Sequence, residues 1–335
     1  MKRPSNWKTI LGCALMLGAG SAAAPARAND SSASLDTGGI VFTYNSAITM
    51  RDEDLFLSQE EVRVRYKFLN TSAADVTTLV AFPLPEIETG EAGNYGVESS
   101  DPINFIDFKV SVDGKAIEPQ VEAKAISLGV DITSILAKYG LPLTAITGSD
   151  AQREALDAKF RTLSPEALAE LTRYGAISRE ASSAPGGARD VDPTWTAHIT
   201  FYWFQTFPAG RAVEVTHSYR PVPRTFFTSE TEIGGARMKK DYCVDSRAIA
   251  ATRAFGIGGT PQGVELRYIL STAQHWLGSI GHFRVIVDKG SPNRVASTCF
   301  SGLKQVGPTT FMAEKTNFDA TEELDVLLLE KIAVD

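Results

Sequence analysis

The sequence predicts a mainly β protein of sandwich architecture, built as one sandwich or two and interrupted by a helical insertion. Three observations carry this. Residues 61–68 alternate strictly between apolar and charged side chains; six aromatics crowd positions 195–207 yet sort cleanly onto two strand faces; and the periodicity switches from two to that of a helix only between residues 131 and 180.

The clearest strand is 61–68, where Val62, Val64, Tyr66 and Phe68 alternate with Glu61, Arg63, Arg65 and Lys67. One dry face and one wet face describe a sheet packed on a single side. "NTSAAD" breaks the strand at 70–75, and "VTTLVAFPLP" follows as a more fully buried strand stopped by Pro83 and Pro85. A further strand is expected over 104–112, with Asp113-Gly114 as a hairpin turn. After Val130 the pattern turns helical: 131–139 with Asp131 as the cap and Gly140 beyond the end, 150–160, and 164–174 opened by Ser164-Pro165-Glu166 and stopped at Gly175. "ASSAPGGARDVDP" at 181–193 has the composition of a loop.

The aromatic stretch "TWTAHITFYWFQTFPAG" then reads as a strand. Trp195, Ala197, Ile199, Phe201 and Trp203 share the core face, and Thr196, His198, Thr200, Tyr202 and Phe204 the other. Pro208-Ala209-Gly210 supplies a turn, and the alternation of Val213, Val215, His217 and Tyr219 suggests a returning strand, so a hairpin is expected. From Gly263 onward short strands recur at 264–270, 283–288, 294–300, 309–314 and 323–329, with turn signals such as "KGSPN" between them. The resulting division is 1–28 signal peptide, 29–130 N-terminal β region, 131–180 helical insertion, 181–193 loop, and 194–335 C-terminal β region.

The first residues bear on compartment. Lys2, Arg3 and Lys8 precede an apolar run from Ile10 to Ala24, and Ala26-Arg27-Ala28 forms an A-x-A site, so cleavage is expected between Ala28 and Asn29. The run is shorter than the roughly 20 residues that span a bilayer, which disfavours a retained anchor. Ile10-Leu11-Gly12-Cys13 imitates a lipoprotein box, but the apolar stretch continues well past the cysteine. Cleavage leaves 307 residues and, by removing four basic and no acidic side chains, moves the formal charge from −7 to −11. Such a chain repels phosphate backbones and anionic lipids, which argues against nucleic-acid partners and against membrane insertion after cleavage. A secreted location is expected. There Cys243 and Cys299 are an even pair in an oxidising compartment, and a disulfide between them is expected; two buried thiols are the alternative.

Several segments taken together resemble a known family: "NDSSASLDTGGIVF", "ITMRDEDLFLS", "VRYKFLN", "VAFPLPEI", "WFQTFPAG", "VTHSYRPV" and "YCVD" are similar to the exported bacterial proteins grouped as domain of unknown function 4424. The resemblance covers nearly all of the mature chain. It implies a secreted or periplasmic protein of Gram-negative bacteria, and no reaction or catalytic residue.

The motif search assigns no catalytic, metal or cofactor-binding residue. C-x-x-C and H-E-x-x-H are absent, and of the four histidines His198 and His217 are expected to face each other across the hairpin as a structural pair. Asp52-Glu53-Asp54 lacks the alternating ligands of a calcium loop and reads as a solvated turn. G-x-S-x-G is absent, Ser301-Gly302-Leu303-Lys304 has no companion motifs, and "GIGGTPQG" at 256–263 fits neither phosphate-loop nor dinucleotide spacing. The expected ligand surface is His198, Tyr202 and Trp276. The favoured function is a binding or interaction module for a protein, peptide or envelope glycan, with the helical insertion helping to form a cleft. The competing one is a periplasmic glycan-acting hydrolase with an Asp/Glu pair in a pocket, one of them with a raised pKa.

Overall fold

The computed structural model describes residues 30–36, 39–89, 101, 103–144, 150–180, 190–253 and 260–332. The signal segment with its Ala28–Asn29 junction, Cys13, residues 181–189 of the loop and 256–259 of the glycine-rich run lie outside them.

The chain is mainly β, with a large sheet whose dry face packs on two smaller ones. The eight-stranded sheet runs in the order Lys304–Gln305, Thr310–Phe318, Ile280–Asp288, Ile48–Leu57, Val62–Asn70, Ala212–Tyr219, Lys109–Val112, Lys115–Ile117. A seven-stranded sheet has the order Val130–Asp131, Gln120–Ser127, Thr196–Phe207, Val76–Pro83, Ser31–Asp36, Gly39–Phe42, with Ile87–Glu88 also on Thr196–Phe207. The third sheet is Arg224–Phe227, Thr260–Tyr268, Leu324–Ile332, Val295–Thr298.

The one-sided alternation of 61–68 sets the core. Val62, Val64, Tyr66 and Phe68 are buried while Arg63, Arg65 and Lys67 stay exposed. They meet Val80, Phe82, Phe201 and Trp203 of the seven-stranded sheet and Val264, Leu266, Val326 and Leu328 of the four-stranded one in a single apolar cluster. Each such side chain, fully buried, contributes about 1.5–3 kcal/mol. The aromatic strand behaves as its alternation predicts: Trp195, Ala197, Ile199, Phe201 and Trp203 are all buried, whereas Phe204 on the other face is exposed.

Its pairing differs from the expected hairpin. Thr196–Phe207 lies between Val76–Pro83 and Gln120–Ser127, and Ala212–Tyr219 crosses to the large sheet to pair with Val62–Asn70. Both strands are apolar on one face, and each completes a different sheet instead of folding back on the other. The expected strand over 104–112 begins only at Lys109, because the Asn104 side chain accepts from the Phe108 amide at 2.7 Å and closes a loop. The Asp113-Gly114 hairpin forms as predicted, with both residues at positive φ.

The insertion is helical over Thr133–Tyr139, Asp150–Thr162 and Pro165–Arg173. Ser164 caps the third helix by accepting from the Ala167 amide at 3.2 Å, and Gly140, in the left-handed region, ends the first. Asp131 accepts from the Thr133 amide one residue before the cap position, which is Ile132. The helices close a separate small core around Trp195, whose indole donates to the Leu143 carbonyl at 2.8 Å. Three further short helices, Glu230–Ile233, Ala236–Tyr242 and Ser246–Arg253, cover the outer face of the four-stranded sheet through Leu327, Leu329 and Val295.

The two halves of the large sheet meet where Ile280–Asp288 pairs parallel to Ile48–Leu57. Gly281 permits the approach, because a Cβ there would lie 2.6 Å from the Arg51 carbonyl oxygen, beside the register shift between Met50 and Asp52. Gly281→Ala is therefore expected to lose about 1–3 kcal/mol of stability in urea unfolding; an unchanged midpoint would show that the seam is not tight. Cys243 and Cys299 are bonded, with Cα atoms 4.9 Å apart across a separation of 56 residues. Closing such a loop is worth about 4 kcal/mol in the chain-entropy account. Cys299→Ser should lower the unfolding midpoint by a comparable amount and abolish the response to reductant, and a variant as stable as the parent would contradict that role.

Candidate functional site

The titratable residues gather in two kinds of place, one sealed and one open. The sealed place is the centre of the core. Strand alternation turns Glu53 inward from Ile48–Leu57, so Asp52-Glu53-Asp54 is not the solvated turn expected of it but a strand with two outward acids and one wholly buried. Tyr268 donates to Glu53 Oε1 at 3.4 Å and shares a 2.8 Å hydrogen bond with Tyr66. His217 is buried among Tyr66, Phe82, Phe108 and Trp203, with Nε2 3.4 Å from Asp30 Oδ1. Burial pushes the His217 imidazole down to about 3 and, with help from the Glu53 charge, holds the Asp30 carboxyl well above its usual range. Asp30 and Glu53 are two acids of the core, the first with its carboxyl raised, but both are fully buried, whereas a glycosidase needs its carboxyls at the substrate.

His198 and His217 do not face each other. His198 projects from the half-buried face of the seven-stranded sheet, 3.6 Å from Glu86, with burial lowering its pKa. Tyr202 lies on the same face, packed near Ala33, Leu79 and Ala81. Trp276 does not join them as a ligand surface: it is fully buried against Phe68 and Phe207, and its indole donates to the Asp30 carbonyl at 2.8 Å. The segment "HWLGS" supplies no alternation from which that burial could be read.

The open place is a groove of about 1230 Å³ on the flank where the large and four-stranded sheets both end. Its centre is the strand Val295–Thr298, last in its sheet and paired on one side only, with Leu324–Ile332. The strand alternates: Val295 and Ser297 face the short helices, Ser297 Oγ donating to the Tyr242 carbonyl at 2.9 Å, while Ala296 joins the core between the sheets. One wall is therefore helical, with Cys243, Arg247, Ala248 and Ala251; the other is sheet, with Val287, Leu303 and Phe311. The disulfide fixes the helical wall to the strand, since Cys243 ends the helix Ala236–Tyr242 and Cys299 directly follows Thr298.

The charges of the groove are mostly committed. Lys289 donates to the carbonyls of Pro292 and Arg294 at 2.9 and 2.7 Å, and Arg294 pairs with Glu330 at 2.6 Å. Asp245 accepts from the Ala248 amide at 2.8 Å at the start of the helix Ser246–Arg253. Both described carboxylates of the groove thus hold structure in place. Neither Asp245 nor Glu330 is arranged as a general acid. The groove owes nothing to the helical insertion at 131–180, which packs elsewhere. A smaller cleft of about 540 Å³ lies on the outer face of the large sheet, where Asp54 is held by Arg65 and by Arg284 at 2.7 Å, and Arg63 stacks on Phe56. Among the described residues no group of three or more His, Cys, Asp or Glu could hold a metal ion, and no helix is long and apolar enough to cross a membrane.

Residues 28–327 match the family model of a domain of unknown function (DUF4424). The chain belongs to the DUF4424 family. No curated protein matches it. Among solved structures it is similar to a candidate nutrient-binding protein of Legionella pneumophila, at 16% identity and a TM-score of 0.45 over 91% of this chain and 71% of that one. It is also similar to an M1 zinc metallopeptidase of Deinococcus radiodurans, at 7% identity and a TM-score of 0.27 over 85% of this chain and 43% of that one.

The buried pair makes a prediction of sign. His217, with a folded pKa below its unfolded one, takes stability away as pH falls from 6.5 towards 3; Asp30, with a folded pKa above its unfolded one, gives stability back over the range above 3.8. Between pH 6.5 and 4 the two oppose each other. Asp30→Asn should therefore expose the histidine, with unfolding free energy falling by about 1.4 kcal/mol per pH unit on acidification, and His217→Phe should reverse the slope. Parallel pH profiles for the two variants would contradict the assignment.

Proposed function

We propose that this DUF4424 protein is an exported binding module, carried to the periplasm by residues 1–28, and that the flank groove is where it takes its partner. The observation that carries this reading is the pairing of a large open groove with a described carboxylate set already spent on a helix start and an ion pair. A hydrolase needs one protonated and one ionised carboxyl at the substrate, and Asp30, the carboxyl held above its usual range, is sealed in the core. A binding site needs shape, anchored walls and a few polar groups, and the disulfide, Lys289 and Arg294 supply the anchoring.

Ala251 sits on the helical wall of the groove and is exposed, so Ala251→Trp fills the groove without disturbing a core contact. Native mass spectrometry of the protein purified from a periplasmic fraction should show a bound component, with a mature chain beginning at Asn29. The Ala251→Trp variant should lose that component while keeping the unfolding midpoint of the parent. A component retained in full by the variant would place the binding elsewhere, and a chain beginning at Met1 in the cytosol would remove the export half of the reading.

A further inference from the structure

Resting on the groove as the binding site, we infer that the partner is an extended peptide with alternating apolar and acidic residues, added as a new strand to the edge Val295–Thr298. The first ground is the backbone. In an antiparallel ladder every second residue turns both its N–H and its C=O away from its neighbour, so an edge strand presents main-chain donors and acceptors in a row, and a partner strand lies about 4.8 Å away. Val295–Thr298 is such an edge, and the groove leaves room beside it instead of covering it with a helix or loop. A glycan has no regular row of alternating donors and acceptors to match it; an extended polypeptide does.

The second ground is that the groove has two unlike walls, on the two faces to which a strand's side chains alternate. Residues added on the face of Val295 and Ser297 would point toward the helices, where Arg247 and Lys331 are exposed and, among the described residues, paired with no carboxylate. Lys331 belongs to this side by period-two alternation from Leu327 and Leu329, which pack under the helices. Residues on the face of Ala296 would point between the sheets, toward Val287, Leu303 and Phe311. The helical wall carries Arg247 and Lys331 beside Asp245, which is spent on the start of its own helix, and the wall between the sheets presents Val287, Leu303 and Phe311 beside the internally paired Arg294 and Glu330. The complementary strand is acidic at every second position and apolar at the others.

The test is fluorescence anisotropy with labelled octapeptides on the full mature chain. The probes are an alternating Val/Glu peptide, its Val/Lys counterpart, and two Val/Glu peptides N-methylated on the amides of one edge or of the other. The Val/Glu peptide is expected to bind, the Val/Lys peptide at least tenfold more weakly, and one N-methylated peptide at least tenfold more weakly while the other keeps the parent affinity, since an edge-on strand uses one edge only. The double variant Arg247→Glu, Lys331→Glu should invert the preference between the Val/Glu and Val/Lys peptides. Equal binding of both N-methylated peptides and the parent would overturn strand addition. Equal binding of Val/Glu and Val/Lys would overturn the acidic partner. If none of the peptides binds while Ala251→Trp still loses the component seen in native mass spectrometry, the groove stands as the binding site and the inference about its partner falls.

Discussion

The parallel seam between Ile48–Leu57 and Ile280–Asp288 is the constraint on which the rest of the molecule depends. On one side of it the large sheet is made from residues 48–117 and 212–219, and on the other from residues 280–318. Parallel pairs need a long connection, and here more than two hundred residues intervene, which build five strands of the seven-stranded sheet, the helical insertion and the first half of the four-stranded sheet. The N-terminal and C-terminal β regions therefore interleave. Thr196–Phe207 sits between two strands of the N-terminal region, and a single apolar cluster runs through the three larger sheets.

The seam also explains why the groove exists. Beyond it the chain passes back and forth between layers: Ile280–Asp288 in the large sheet, Val295–Thr298 in the small one, Thr310–Phe318 in the large, Leu324–Ile332 in the small. Both sheets end on the same flank, and neither end closes over the other. The short helices then pack on the outer face of the small sheet, and the groove opens along its edge strand. A disulfide at this point ties wall to strand, which keeps the two faces of the opening at a fixed separation. The electrostatics divide along the same line: carboxyls, imidazole and phenols at the centre are desolvated, the two phenols hydrogen-bonded to each other, whereas the flank keeps two cations facing solvent.

Much of this was legible in the sequence wherever a strand has one wet and one dry face. The strand at Val62–Asn70, the core face of Trp195 to Trp203, the three helices of the insertion and the Cys243–Cys299 bond all follow from local alternation, capping residues or cysteine parity. What alternation cannot convey is which strand pairs with which. Thr196–Phe207 and Ala212–Tyr219 are neighbours in the chain but belong to different sheets, so the expected hairpin does not form. The helices between Glu230 and Arg253 have 4, 7 and 8 residues, too short for a periodic signal, although Ser229 and Glu232 form a capping box that was there to be seen. Glu53 escaped because a run of three acids suggests water, and only pairing on both sides of its strand turns one of them inward. The groove left no motif at all, being made by an edge, which is a property of sheet order and not of any residue.

Hydrogen exchange of the backbone amides of Val295–Thr298, resolved residue by residue by NMR, tests the open edge most directly. The account predicts alternation: two of the four amides protected by the ladder to Leu324–Ile332, and two exchanging near the rate of an unstructured peptide. Uniform protection of all four would mean that the edge is already paired, and the groove would lose the feature that makes it a site.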